Sequence, residues 1–481
     1  MTAFIYSANM CTAIASPQQW AQLEFGTALL SDKRRTKRLV DVAAALAQCP
    51  SGTLPQAIPF WSGLKGAYRL FNNPEVTFEK ICAPHWQQTR EACNQPGEYL
   101  LIEDTTVLDY SQHKRIRGMG RVGNDEGVGM MLHTTLVTRV EHWQLDQTPE
   151  LSSVGILSQK CWTRQGPPLK KVQTRRQRLS RQRESQRWGE ALSKLPRRGP
   201  GVSRIMIADR EADIFETFQK CHAAEVDFII RATCARALAN EDQSTFEAVA
   251  AAPLRGTFEV ELRARPDSPA RVAKLELRMV SVELRGTWRP GGKTGPMEIN
   301  VVEARETDVP AGAVPLRWVL LTSLDCERVV ELRRIVERYA RRWLVEDYHK
   351  ALKTGAHIEQ SQLEECTRIE ALLGVLALVA LRLLSTKLLA RSRPNEPVNS
   401  AEFGEEAINI LSARFGCPEG GWTHSKMLVA IARMGGFLAR KGDGSPGWIT
   451  IWRGWQRLTT MVEGVESLSR ENAFIGATRC G

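Results

Sequence analysis

Tyr339-Ala-Arg-Arg342-Trp343-Leu-Val-Glu346-Asp-Tyr-His349-Lys350-Ala-Leu-Lys353 sets one acid within a strip of cations. No Gly or Pro falls between Leu332 and Lys353, so the run reads as a single helix. Tyr339, Arg342, Glu346, Lys350 and Lys353 recur at steps of three and four residues and therefore line one helical face. A solvated helix alternates signs so that opposite charges pair four residues apart. A lone carboxylate on a polycationic face instead suits a metal ligand held beside a phosphate backbone.

The rest of the chain is compatible with that reading. Its 481 residues are 43% hydrophobic and 25% charged, as in globular proteins, and allow two or three domains. A net charge of +11 points to a polyanionic partner. The 11 cysteines are scattered without a CxxC pair, which reads as reduced thiols of a cytosolic protein rather than zinc ligands or a disulfide framework. Met1-Thr-Ala-Phe-Ile-Tyr lacks the basic-then-apolar order of a signal peptide. The apolar run 371–381 is 11 residues long, too short to span a bilayer, and is expected to be a buried helix.

Residues 17–73 read as helical and basic. Ser31-Asp-Lys33-Arg34-Arg35-Thr36-Lys37-Arg38 opens a helix, with Ser31 or Asp32 as its cap. Gly66-Ala-Tyr68-Arg69 lies in a second helix that stops at Asn72-Asn73-Pro74. Strand-like runs follow at 99–102, 132–138 and 205–208, interrupted by a cationic segment, 170–187, that reads as an exposed loop or helix. Alternating runs at 257–262, 275–282 and 297–302, separated by Gly and Pro, suggest a β subdomain. Ser392-Arg-Pro394-Asn-Glu-Pro397 reads as a linker, and helices with Trp448, Trp452 and Trp455 on one face follow it.

Two carboxylates share a context. Asp104 follows Leu100-Leu-Ile-Glu103 and Asp209 follows Ile205-Met-Ile-Ala208, each at the end of an apolar strand. A rigid scaffold holds an acid there while leaving it open to solvent. With Glu346 they make a set able to hold two Mg²⁺ or Mn²⁺ ions about 3.5–4 Å apart. Each acid has rivals: Glu103 beside Asp104, Glu211 and Asp213 beside Asp209, and Asp347 beside Glu346.

Together these pieces resemble the DDE transposases of bacterial cut-and-paste insertion sequences, and within them the insertion-sequence-four group that includes the transposon-five transposase. The likeness rests on Ile102-Glu103-Asp104-Thr105-Thr106, Asp209-Arg210-Glu211-Ala212-Asp213 and the Tyr339, Arg342, Glu346, Lys353 signature. Gly66-Ala-Tyr68-Arg69, Pro315-Leu-Arg-Trp318 with Thr322-Ser323, and Gly435-Gly436-Phe437 extend it over residues 17–470. Asp104 and Asp209 are 105 residues apart, and Asp209 and Glu346 are 137 apart, room enough for an inserted β region.

The resemblance implies an α/β catalytic core of RNase H type, a mixed five-stranded sheet flanked by helices, over 79–390. It implies an antiparallel β subdomain inserted at about 235–325, a helical DNA-binding domain over 1–78 and a helical dimerisation domain over 391–481. It implies catalysis and metal binding by Asp104, Asp209 and Glu346 with two Mg²⁺ (or Mn²⁺) ions. Arg34, Arg35, Arg38, Tyr68 and Arg69 would position the end sequence, while Arg231, Tyr339, Arg342, Lys350 and Lys353 would hold phosphates near the scissile bond. Trp318 would stack on a flipped base, and His349 is either a DNA contact or a packed ring. Trp448, Trp452 and Trp455 would face a second subunit.

The implied partners are double-stranded DNA, both transposon-end inverted repeats and target, and a second copy of the chain in the DNA complex. No membrane and no small-molecule substrate are expected. The implied site of action is the bacterial cytoplasm, at the nucleoid when bound to DNA. The implied chemistry is nicking at the element's end, a hairpin, hairpin opening and joining to target DNA. The competing reading is a DNA-binding regulator that occupies the same ends without cleaving them; the intact acids favour the enzyme.

Overall fold

The computed structural model describes residues 17–49, 52–123, 127–164, 184–239, 242–262, 271–289, 292–310, 312–392, 394–398, 403–444 and 446–478. Most of the cationic segment 170–187 lies outside them.

Besides a single helical turn at Leu54–Ala57, four helices come first among the described residues: α1 (Pro17–Phe25), α2 (Lys33–Gln48), α3 (Trp61–Phe71) and α4 (Phe78–Ala92). Asp32 caps α2 by accepting the Arg34 N–H at 2.8 Å, which satisfies one of the first-turn donors. The inner faces of α2 and α3 carry Leu39, Val40, Ala43 and Leu46, and Leu64, Ala67, Leu70 and Phe71. Their cations are left outside. These helices have no core of their own, because one apolar cluster runs from Trp20 to Leu388. Within it, buried Glu24 of α1 meets His85 of α4 at 2.7 Å, and His85 Nε2 accepts the Ile156 N–H.

The sheet starts with β1 (Gly97–Asp109), β2 (Gly127–Trp143), β3 (Pro149–Trp162), β4 (Val202–Ala208) and β5 (Asp227–Arg231). β2 lies antiparallel to β1 and to β3, while β1, β4 and β5 run parallel. These five form the mixed sheet expected from the sequence, in the order β3-β2-β1-β4-β5. Leu100, Leu101, Ile102, Ile205, Met206, Ile207, Ile229 and Ile230 are buried on both faces, as strands between helix layers must be.

The inserted strands β6 (Leu254–Leu262), β7 (Arg271–Leu284), β8 (Met297–Glu306) and β9 (Arg317–Thr322) are antiparallel, as the alternating sequence suggests. They continue the main sheet rather than forming one apart. β9 pairs with β5 through Leu320–Arg231, Leu321–Ile230 and Thr322–Ile229, giving a 10-stranded sheet among the described residues. The reason is an edge. Without β9 the apolar strand β5 would leave a row of buried backbone groups unpaired.

The signature region is not one unbroken helix. Well after α5 (Phe215–Ala223), which joins β4 to β5, α6 (Val329–Ala340) gives way at Arg341 and Arg342 to α7 (Trp343–Lys350), which runs into a π-helical turn, Ala351–Gly355. There the Ala356 N–H reaches back to the Ala351 carbonyl at 2.8 Å. Neither Gly nor Pro lies at the first break, so tertiary packing overrides a sequence able to continue as helix there, while the π turn runs up to Gly355. The long apolar helix α8 (Cys366–Ser392) contains a stretch apolar enough to cross a membrane, but 83% of that stretch is buried inside the protein.

The last helices are α9 (Glu405–Phe415), α10 (His424–Met434) and α11 (Trp448–Thr478). A Cβ on Gly435 would lie 1.8 Å from the Thr450 carbonyl oxygen, and one on Gly454 would lie 1.6 Å from that of Ile431. The two glycines therefore let α10 and α11 meet backbone to backbone. Trp452 is buried within the subunit, and Trp455 packs on Phe403 at 6.3 Å beside the Leu411, Trp422 and Met427 cluster. Trp452 thus departs from the expected tryptophan dimer surface, while Trp455 is half-buried against its own chain. Trp448 starts α11, and its side chain lies outside what the structure describes. Among the described residues of α11, Met461, Val465 and Leu468 are exposed and apolar at helical spacing.

Candidate active site

β1 and β4 are parallel neighbours whose last paired rung joins Ile102 to Ile207. Asp104 and Asp209 each stand two residues beyond that rung, so parallel register carries both acids to the same end of the sheet. The Asp104 carboxylate accepts the Thr105 N–H at 2.9 Å, and that of Asp209 accepts the Glu211 N–H at 2.9 Å, capping a short 3₁₀ turn. Alternation along β1 sends Glu103 to the opposite face, where it is fully buried. It accepts from Thr135 Oγ1 and the Gly189 N–H and so is tied into structure. Asp213 is likewise consumed by an ion pair with Arg236 at 2.6 Å, and Asp347 faces Lys387 at 3.2 Å. Of the rival acids only Glu211 is exposed beside the site.

α7 brings Glu346 to the two aspartates by way of Arg342. Arg342 Nη2 donates to Glu346 Oε1 at 2.6 Å, while Nη1 lies 3.9 Å from Asp104 Oδ2. The break before α7 turns this side chain inward, leaving it 12% exposed. Burial pushes the Asp104 carboxyl up to about 6, against the pull of Arg342 and with the charges of Asp209 and Glu346 adding to the rise. The three acids thus sense one another. Among the described residues no ready-made cage of three metal-ligating side chains exists. A guanidinium sits among the carboxylates instead.

Aromatic and basic groups surround them. Tyr339 is buried, its hydroxyl titration raised by burial, and its ring meets Trp318 edge to face at 5.2 Å. Trp318, the expected platform for a flipped base, is 7% exposed and so lies in the core. Burial lowers the Arg231 titration, with Tyr339 and the cation of Arg210 nearby. His349 resolves to a packed ring. It lies against Thr134 Oγ1 at 3.3 Å and 3.9 Å from Asp104, and burial drives its pKa down to about 3, so it is neutral. Lys350 is exposed. Lys353, on the π turn, faces Glu359 at 3.7 Å, and Glu359 accepts the N–H of Asp109 at the end of β1.

The N-terminal cations stand apart from the acids, on α2 and α3. Arg34, Arg38, Tyr68 and Arg69 are exposed, whereas Arg35 is half-buried and donates to the Leu30 carbonyl at 3.0 Å. Two functional candidates escaped the sequence reading. Arg210 is exposed beside Asp209, inside an element read only for its acids, and Glu359 leaves no sequence signal because it acts through a turn.

Sheet-end aspartates, a helix-borne glutamate, a basic surround and a separate basic helical face are the parts that a nucleic-acid-processing enzyme requires. Three family models match the chain in order: Transposase DNA-binding over residues 17–76, Transposase DDE domain over 179–382 and Transposase Tn5 dimerisation domain over 407–473. The chain belongs to the DDE transposases, and its dimerisation module places it with the Tn5-like ones. The DDE match includes Asp209 and Glu346 and starts after Asp104, which joins them through strand register. DDE transposases typically use a divalent metal ion. Asp104, Asp209 and Glu346 offer the carboxylate oxygens that a hard cation takes, and the charges of Asp209 and Glu346 add to the rise that burial imposes on Asp104.

Proposed function

We propose that the chain excises a mobile DNA element and inserts it elsewhere, with Asp104, Asp209 and Glu346 as its catalytic carboxylates. The observation that carries this reading is the register match of Asp104 and Asp209 with Arg342 bridging to Glu346. The carboxylates would hold two Mg²⁺ (or Mn²⁺) ions, which supply an activated water or 3′-hydroxyl and neutralise the departing oxygen. Arg342 releases Glu346 and pairs with a DNA phosphate instead, which would free that carboxylate to serve as a ligand. Tyr339, Arg231, Lys350 and Lys353 hold neighbouring phosphates, so that charge developing at the scissile bond meets fixed donors. Neutral His349 keeps Asp104 in place through packing.

Arg34, Arg38, Tyr68 and Arg69 grip the terminal inverted repeats, chiefly through phosphates. Arg35 acts by bracing the turn before α2. Hydrolysis consumes one water and frees a 3′-hydroxyl at the element's end. That hydroxyl attacks the opposite strand, exchanging one phosphodiester for another in a hairpin. A second water reopens the hairpin, and the 3′-hydroxyl then joins target DNA by another exchange. Trp318 stacks on a base flipped at the hairpin once Tyr339 has moved off its ring. Two subunits paired through α11 each bind one end, and each cleaves the end held mainly by the other. The reaction takes place in the cytoplasm, at the nucleoid.

The test is release of a labelled terminal-repeat duplex from flanking DNA by purified protein. Cleavage should require Mg²⁺ or Mn²⁺ and stop with chelator. Repeat binding without cleavage in either metal would favour the silent regulator.

A further inference from the structure

Phe60 and Trp61 stand in solvent at the start of α3, 77% and 70% exposed. Adjacent exposed aromatics are uncommon on a soluble surface and mark a contact. Trp61 precedes Lys65 by one helical turn, and Lys65 precedes Tyr68 and Arg69 by another, so aromatic and cationic side chains alternate along one side of α3. All four are exposed. The opposite side of α3, with Leu64, Ala67 and Leu70, is buried, which mounts this surface rigidly.

α2 extends the surface. A Cβ on Gly66 would meet the Arg38 guanidinium carbon at 3.0 Å, so the missing side chain is what lets Arg38 lie across α3. Residues 61–71 contain no acid, and the charge therefore selects a polyanion. The spacing suits duplex DNA, whose phosphates flank an apolar surface of sugars and base edges.

We propose that Phe60 and Trp61 make an apolar contact with the terminal-repeat duplex, packing on sugar and base-edge surface beside phosphates held by Arg38, Lys65 and Arg69. The contact rests on the transposase reading and adds a part of end recognition that does not depend on charge.

The test measures binding by the full-length chain to a duplex carrying the element's terminal repeat and to a scrambled duplex, over a range of salt. The F60A/W61A variant should bind the repeat about tenfold or more weakly. Its slope of log affinity against log salt should stay at the wild-type value, because an apolar contact releases no counterion. Arg69→Ala should instead lower that slope by about one, and Trp61→Phe should recover most of the affinity. Unchanged thermal melting of F60A/W61A ties the loss to the contact rather than the fold. Wild-type affinity in F60A/W61A, a slope reduced as in Arg69→Ala, or an effect confined to self-association would each overturn the contact alone. Wild-type protein that does not prefer the repeat over the scrambled duplex would overturn the transposase reading and this contact with it.

Discussion

Arg342 and Glu346 are joined by a 2.6 Å hydrogen bond, and the same guanidinium reaches to within 3.9 Å of Asp104. The arginine pairs with carboxylates that the proposed reaction would give to metal, and on that proposal it competes with the cation. Arg342→Ala is expected to tighten Mn²⁺ binding to the DNA-free protein, read by calorimetry, while slowing end cleavage about tenfold or more. Weaker Mn²⁺ binding in this variant would show that the arginine supports the site instead of competing in it.

The folded-state pKa of Asp104, about 6, lies above its ordinary 3.8, so protonation favours the folded chain. That stabilisation is complete below pH 3.8 and is lost as pH rises through 6. An asparagine carries no such penalty. Asp104→Asn should melt higher than wild type at pH 8 in chelator, with a ceiling of about 3 kcal/mol, and the gap should close near pH 4. A wild type more stable than Asp104→Asn at pH 8 would contradict the raised pKa.

Met461, Val465 and Leu468 leave an apolar stripe in solvent on α11, while Trp452 is consumed inside the subunit. Val465→Asp should weaken dimer formation on DNA and leave the melting temperature within a degree or two. Trp452→Ala should instead cost about 3–5 kcal/mol of stability, as emptying a buried aromatic site does. Light scattering of the DNA complex separates the two, and an undisturbed dimer in Val465→Asp would move the interface elsewhere.

Trp318 packs edge to face on Tyr339. If the ring serves a flipped base, Trp318→Phe should slow hairpin formation and opening more than the first nick in a gel assay that resolves each product. Equal slowing of all steps would leave Trp318 a core residue only.

The shared sheet-end position of Asp104 and Asp209 was legible because apolar strands ending in an acid leave a local pattern, and parallel register does the rest. Strand alternation predicted that Asp104 and Glu103 face opposite sides of the sheet, as they do, with Glu103 tied to Thr135 and Gly189. Placement of the other groups depended on long-range packing. Nothing near residue 340 announces the break before α7, nor the π turn that aims Lys353 at Glu359. Trp452 and Trp455 carry the spacing of a surface stripe whether they face a partner or a neighbouring helix, because helical periodicity does not say what covers a face. The joining of β9 to β5 was hidden for a similar reason, since an apolar run does not name its neighbour.

On the proposed function, Asp104, Asp209 and Glu346 act as one catalytic set. That role is tested most directly by cleavage of a terminal-repeat duplex in Mn²⁺ by Asp104→Ala, Asp209→Ala and Glu346→Ala, with duplex binding measured in parallel. Each variant should lose cleavage by about a thousandfold or more while binding within about threefold of wild type. Undiminished cleavage in any one of them would remove that residue from the site.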